Sequence, residues 1–299
     1  MSLFGRFRKN PEDRDLIRGE DLLFCGRFQD AVACFHQVLE REPRNMHALS
    51  GLALGLEHLG RYDEAIAIYD RTIAINPKNS GILAGKAICL EKLGKHEEAI
   101  IWFERDLKLN PSALDPWVGI GRCLTRLGRT HEALTFYDHA LFLNRNYVDA
   151  WIGKGDALFQ QKNYEEASLC YSSALNLHPS ADRVWVTLGI CQNRLGKFDS
   201  ALACFEKAIA FNPGNPVAWF EKGLCLAGWR RNQEAIHAYN HAIALDPACG
   251  AAYYEKGHSL AILGDDDGAA ACFQKSRSLG VSSFQSRVKY HYIDGYSFY

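Results

Sequence analysis

A period of 34 residues runs through this chain. Stepping by 34 from Ala31 lands on Ala65, Ala99, Ala133, Ala167, Ala201, Ala235 and Ala269. Four residues after each alanine stands an aromatic: Phe35, Tyr69, Phe103, Tyr137, Tyr171, Phe205, Tyr239 and Phe273. Twelve residues before each stands a small residue: Gly19, Ala53, Ala87, Gly121, Gly155, Gly189, Gly223 and Gly257. Pro43, Pro77, Pro111, Pro179, Pro213 and Pro247 share the grid, with Arg145 where one is skipped, and so do Trp117, Trp151, Trp185 and Trp219. A fixed period of this size marks units that bury their apolar faces only by stacking on neighbours. Eight units start at residues 12, 46, 80, 114, 148, 182, 216 and 250, without insertion, and cover 12–283 of 299 residues. Residues 1–11 form an extension before them, and 284–299 follow.

Each unit reads as two helices. In 148–181, Trp151, Gly155 and Leu158 make one helical stripe, and Ala167, Tyr171, Ala174 and Leu175 make a second. Between them other units place Gly26, Gly60, Gly94, Gly128, Gly196 or Gly264, the residue type that closes a helix in the left-handed conformation. Carboxylates such as Glu165 and Glu166 open the second helix, where they favour its dipole. Proline stops it, having no N–H to continue. The Gly155–Ala167 pair predicts close helix contact, with Tyr171 filling the seam.

The series Trp185, Gly189, Ala201, Phe205, Ala208, Pro213, matched by Trp219, Gly223, Ala235, Tyr239, Ala242, Pro247, resembles the tetratricopeptide repeat family. That resemblance implies an all-α fold, an α-solenoid wound as a right-handed superhelix of stacked antiparallel helix pairs, with eight units making about one turn. It also implies a concave face lined by the second, fifth, ninth, twelfth and thirteenth places of each unit. Departures from the pattern are Asp15 at the tryptophan place, Val281 at the proline place, and Thr72 and Asp106 at a packed alanine place.

Reading those places along the chain gives three zones. Units four to six bring Arg122, Arg126, Arg183, Asn193 and Arg194 with Asp149 and Asp156, beside the apolar Ile152, Phe159 and Val186. Units seven and eight bring Phe220, Leu224, Tyr254 and Ile262, edged by Glu221 and Glu255. Units one and two are acidic, with Asp13, Glu20 and Glu57. Arg122 and Arg126, at i and i+4 on one helix face, can grip a partner's carboxylate or phosphate, or can pair with Asp149 and Asp156 across units. Phe220 and Tyr254 can anchor an interface or pack on the next helix. No fifth place is Lys and no ninth place is Asn, so the clamp for chaperone tails known in this family is not expected.

Other chemistry finds little support. Cys89, Cys123, Cys191 and Cys225 recur at the tenth place, and Cys34, Cys170, Cys204 and Cys272 at the twenty-third. They read as small buried apolar residues in a reducing, cytoplasmic setting. Cys25 and Cys249 lie off that register, near turns. His237 and His241 have a chelating spacing but are read as a solvated outer pair. With no phosphate loop and no nucleophile motif, neither catalysis, a metal nor a cofactor is expected. A net charge of −1 disfavours nucleic acid. No apolar run reaches membrane length, and the start lacks the pattern of a secretory signal. Leu3, Phe4 and Phe7 with Arg6, Arg8 and Lys9 read as a frayed terminus. Residues 283–293 are expected to form a capping helix, with the aromatic tail Asp294–Tyr299 either folded back or filling a groove. The expectation is a non-catalytic scaffold that binds a peptide segment or helix of another protein. The alternatives are self-assembly through the tail or terminal units, or a small-molecule or nucleic-acid sensor. Uniform units with Asn-Pro ends give the chain a prokaryotic look.

Overall fold

Glycine, alanine and a buried ring at regular intervals leave helices only one way to pack, and the computed structural model of the chain shows it. The structure describes residues 12–281. The capping helix and aromatic tail expected beyond 283, and the segment before 12, lie outside the described residues. Among those described there are sixteen helices and no strand.

The chain divides into two compact units, one reaching Gly153 and the other starting at Lys154. The first contains α1 (Glu12–Phe24), α2 (Phe28–Arg41), α3 (Met46–His58), α4 (Tyr62–Ile75), α5 (Ser80–Lys92), α6 (His96–Leu109), α7 (Leu114–Arg126) and α8 (Thr130–Leu143). Helix α9 (Val148–Gln160) crosses the division. The second contains α10 (Tyr164–Leu177), α11 (Asp182–Arg194), α12 (Phe198–Phe211), α13 (Pro216–Gly228), α14 (Asn232–Leu245), α15 (Gly250–Ile262) and α16 (Asp266–Ser278). Within each unit every helix packs on the helices before and after it in the chain, an all-α helical repeat fold.

The aromatics on the 34-residue grid are the pegs of this stack. A Cβ on Gly19 would sit 2.7 Å from the Phe35 ring, and one on Gly51, in the next repeat, 2.4 Å from it. Gly121 and Gly153 hold Tyr137 in the same way, at 2.7 and 2.4 Å. Each such ring is thus gripped by the sixth place of the following repeat and the eighth place of its own. Burying a side chain of this size contributes about 2–3 kcal/mol, and a Cβ at either glycine would force the helices apart.

Tryptophan and proline on the grid serve one hydrogen bond. The Trp117, Trp151, Trp185 and Trp219 Nε1–H groups donate to the carbonyls of Pro111, Arg145, Pro179 and Pro213, at 3.0, 2.8, 2.8 and 3.4 Å. Only the carbonyl is needed, so Arg145 fills the proline place without loss of the contact. The outer faces of two of these indoles are covered by His139 and His241, with ring centroids 4.0 and 4.2 Å away.

The turns inside the pairs use positive φ. Gly26, Gly60, Gly94, Gly128, Gly196 and Gly264 all have φ between 72° and 82°, and Lys162 and Arg230 hold φ 61° at the same place. Three of the departures from the repeat pattern, Asp15, Thr72 and Asp106, have distinct local surroundings. Asp15 pairs with Arg41 inside the first repeat. The Thr72 hydroxyl donates to the Ile68 carbonyl at 2.7 Å. Asp106 is 1% exposed, and its Oδ1 has no hydrogen-bond partner among the described residues, with the Ser80 hydroxyl nearby favouring the charged form. Burial pushes that carboxyl above the usual range.

Candidate functional site

The first helix of each repeat carries the residues proposed for binding, and their surroundings decide which of them can reach a partner. In the unit ending at Gly153, Glu57 of the acidic zone turns inward on the protein itself, while Glu20 is exposed. Glu57 accepts from the Tyr69 hydroxyl at 2.8 Å, and burial raises its carboxyl above the usual range. Arg122 lays Nε and Nη2 on Glu91 Oε1 and Oε2 at 2.7 and 2.9 Å. Arg122 therefore braces α5 against α7 through Glu91. Burial and the guanidiniums of Arg122 and Arg126 lower the Lys92 ammonium, against the pull of Glu91. Arg126 is exposed at the end of α7, and Ile152 is half-buried on α9.

In the unit starting at Lys154, Asp156 is held by the Tyr171 hydroxyl at 2.7 Å. Val186 is 0% exposed, a core residue that supports the face from behind, which corrects its expected role as a contact. Phe159, Phe220 and Leu224 are half-buried and pack against the same apolar cluster as Val186. Phe159 meets Tyr164 edge-on at 5.4 Å. Phe220 meets Tyr239 at a tilt with centroids 6.0 Å apart, and Tyr254 meets Phe273 and His258 edge-on at 5.7 and 4.6 Å. Asn193 is half-buried and Arg194 is exposed at the end of α11.

Glu221 and Glu255, expected as rim charges, are buried instead, at 3% and 5% exposure. Burial pushes the Glu221 carboxyl up to about 7; Arg194 opposes that shift and Glu255 adds to it. Their sequence signal was present. They occupy the sixth place, where Gly51, Gly85, Gly119 and Gly153 stand in earlier repeats.

Cys34, Cys89, Cys123, Cys170, Cys191, Cys204, Cys225 and Cys272 are buried, Cys249 is half-buried and Cys25 is exposed. Burial raises the Cys191 thiol to about 12 and the Cys204 and Cys225 thiols to about 11. Among the described residues no three His, Cys, Asp or Glu side chains are grouped to hold a metal, and no helix is long and apolar enough to cross a membrane.

Antiparallel helix pairs in 34-residue register, pegged by a buried ring, define a helical-repeat protein whose first helices present side chains outward. Models described as tetratricopeptide repeat match residues 18–80, 56–116, 114–147, 148–180, 183–215, 204–237 and 229–279. The chain belongs to the tetratricopeptide repeat family. No curated protein matches it in sequence. Among solved structures it is similar to YrrB, described as a TPR protein with an unusual peptide-binding site (24% identity, TM-score 0.51, covering 59% of this chain and 91% of that one). It is also similar to a tetratricopeptide repeat protein from Parabacteroides merdae (18%, TM-score 0.64, 83% and 98%). A third is the APC/C hetero-tetramer Cut9–Hcn1 (17%, TM-score 0.62, 93% of this chain and 55% of that one). At these identities the likeness is one of fold.

Proposed function

We propose that the chain is a non-catalytic cytoplasmic scaffold that binds a peptide segment or helix of another protein on the face formed by its first helices. Tetratricopeptide repeats are a protein-interaction fold. The observation that carries the finer reading is the half-covered apolar row Phe159, Phe220, Leu224 and Tyr254, with the exposed guanidinium of Arg194 near it. Apolar side chains on rigid helices lose little freedom when a partner covers them, which lowers the cost of association. In the other unit, Ile152 and Arg126 offer a smaller surface of the same kind, with Arg122 bracing it. Asp156, Asn193 and Val186 shape the face from beneath.

The test is quantitative recovery of cross-linked partners from the native host with wild type, Arg126→Glu and Tyr254→Ala. Loss of the same partner with Tyr254→Ala supports the face in the second unit, and loss with Arg126→Glu supports that in the first. Unchanged recovery with both removes the assignment.

A second reading, self-assembly through the first repeat, is favoured by one observation: Phe24 is 94% exposed at the end of α1, with Ile17 also exposed on that helix. Light scattering of wild type and Phe24→Ser decides it, since an oligomer that Phe24→Ser dissolves is required.

A further inference from the structure

Helix α1 carries an outer face unlike those of the later first helices. In later repeats the third and tenth places are packed: Ala48, Ala150, Ala218 and Ala252 at the third, and Cys89, Cys123, Cys191 and Cys225 at the tenth, are buried. In α1 these places hold Arg14 and Asp21, both exposed. The sixth place holds Ile17 and the thirteenth Phe24, at 48% and 94% exposure. Leu16, Gly19, Leu22 and Leu23 turn the other side of the helix onto the core. A polar outer side is what a terminal repeat needs. Two large apolar side chains held in water between the charges are not, and such a face marks a contact.

The charges say what can cover this face. Arg14, Ile17, Asp21 and Phe24 follow one another at three, four and three residues, the spacing of a seam that meets another helix. A further repeat stacked in register is not that partner. The tenth place lies against the preceding repeat's second helix, where a Cβ on Gly55 would fall 2.9 Å from Val32. Asp21 placed so would lose its water to an apolar side chain and gain no counter-charge. A second α1 supplies the counter-charge. Arg14 and Arg18 are exposed one turn apart, on the same side as Asp21. Turned antiparallel about a two-fold axis near Gly19, each Asp21 falls between Arg14 and Arg18 of the partner subunit. The same turn sets Ile17 beside Phe24 of the partner subunit. A parallel pairing would instead set Asp21 on Asp21 and Arg14 on Arg14.

From this juxtaposition we infer that α1 is a homodimerisation helix: two copies of the chain pair antiparallel through the outer faces of their first helices. Ile17 and Phe24 supply the apolar contact, and Arg14, Arg18 and Asp21 fix direction and register. This deepens the reading of self-assembly through the first repeat and rests on it. The contact is isologous and closes at two copies, so it does not propagate. One helix pair is a small interface, which makes the dimer a weak one in exchange with monomer.

Sedimentation velocity of the full chain over a concentration series reads the monomer–dimer equilibrium. Two variants reverse the charges: Arg14→Glu with Arg18→Glu makes the face acidic, and Asp21→Arg makes it basic. Each alone weakens dimerisation about tenfold or more, because like charges then meet. Mixed in equal amounts they restore it, since each supplies the sign the other lacks. Native mass spectrometry with one variant isotope-labelled finds one copy of each in the restored dimer. The substituted side chains are exposed, and circular dichroism melts confirm that each variant is folded. A wild-type protein that stays monomeric throughout overturns the pairing and the assembly reading together, and so does a dimer that Phe24→Ser leaves intact. A dimer that Phe24→Ser dissolves, but that the charge variants keep or their mixture fails to restore, overturns the antiparallel pairing and leaves assembly through the first repeat standing. Species larger than a dimer overturn the closed pair.

Discussion

Arg122 and Glu91, 31 residues apart, face each other with two parallel N–H to oxygen contacts of 2.7 and 2.9 Å. They join the ninth place of one repeat to the twelfth place of the repeat before it. The pair is largely shielded from water, so each partner left alone would be a buried charge. Glu91→Ala and Arg122→Ala are each expected to destabilise the protein by about 2–3 kcal/mol, and the double variant by little more than one of them. A urea-melt double-mutant cycle measures this. Additive losses would mean that the pair does not act as a unit.

That pair also shows where sequence reading stops. Repeat starts, helix pairs, the peg-in-glycine seam and the buried cysteines follow from residues compared 34 apart, because each such residue has the same neighbours in every repeat. The candidate site depends on places that vary between repeats, and there the deciding contacts run diagonally. The pairing of Arg122 with Glu91 does not show in the register because Glu91 is three residues off the grid. The bond from the Tyr171 hydroxyl to Asp156 runs off the grid in the same way. One diagonal rule was legible in hindsight. Tyr69, Tyr137 and Tyr171 replace phenylalanine on the grid in repeats where Glu57, Thr125 or Asp156 stands at the twelfth or ninth place to meet the hydroxyl. Glu221 and Glu255 read as rim charges from the apolar zone they border, whereas the sixth place they occupy is a packed one, filled by glycine in four earlier repeats.

Glu221 sets a pH dependence. Its carboxyl is raised from 4.5 to about 7 by burial, with Glu255 adding to the shift and Arg194 opposing it. Between those values the unfolded chain loses a proton that the folded one keeps, so this group's stabilisation is present below 4.5 and is lost as pH rises through 7. The loss is about 3 kcal/mol at ~1.4 kcal/mol per unit. Glu221→Gln is expected to flatten the fall in stability between pH 5 and 8, read from urea midpoints. Identical pH slopes in the two proteins would contradict it.

Asp106 stands where Ala140, Ala174, Ala208 and Ala242 stand in later repeats, and one of its oxygens finds no partner among the described residues. Asp106→Ala removes a buried polar atom and leaves only the Ser80 hydroxyl to rearrange. We expect a gain of about 1 kcal/mol at pH 7, seen as a higher Tm, because an unsatisfied buried group costs about 1–3 kcal/mol. A lower Tm would show that the Ser80 contact outweighs the orphaned oxygen.

Thiol reactivity separates the ten cysteines by position. Burial holds the grid cysteines away from reagent and raises the thiols of Cys191, Cys204 and Cys225 to between about 11 and 12, so little nucleophilic thiolate forms at neutral pH. Cys25 is exposed at the end of the first helix, and Cys249 is half-buried in the turn before α15. Native protein treated with a thiol-specific chromogenic reagent at pH 8 is expected to release about one equivalent quickly, which Cys25→Ser abolishes. A slower second equivalent should follow from Cys249, and the rest only in denaturant. Rapid modification of Cys123 or Cys191, located by peptide mass mapping, would mean that the helices around the buried rings open far more readily than their packing implies.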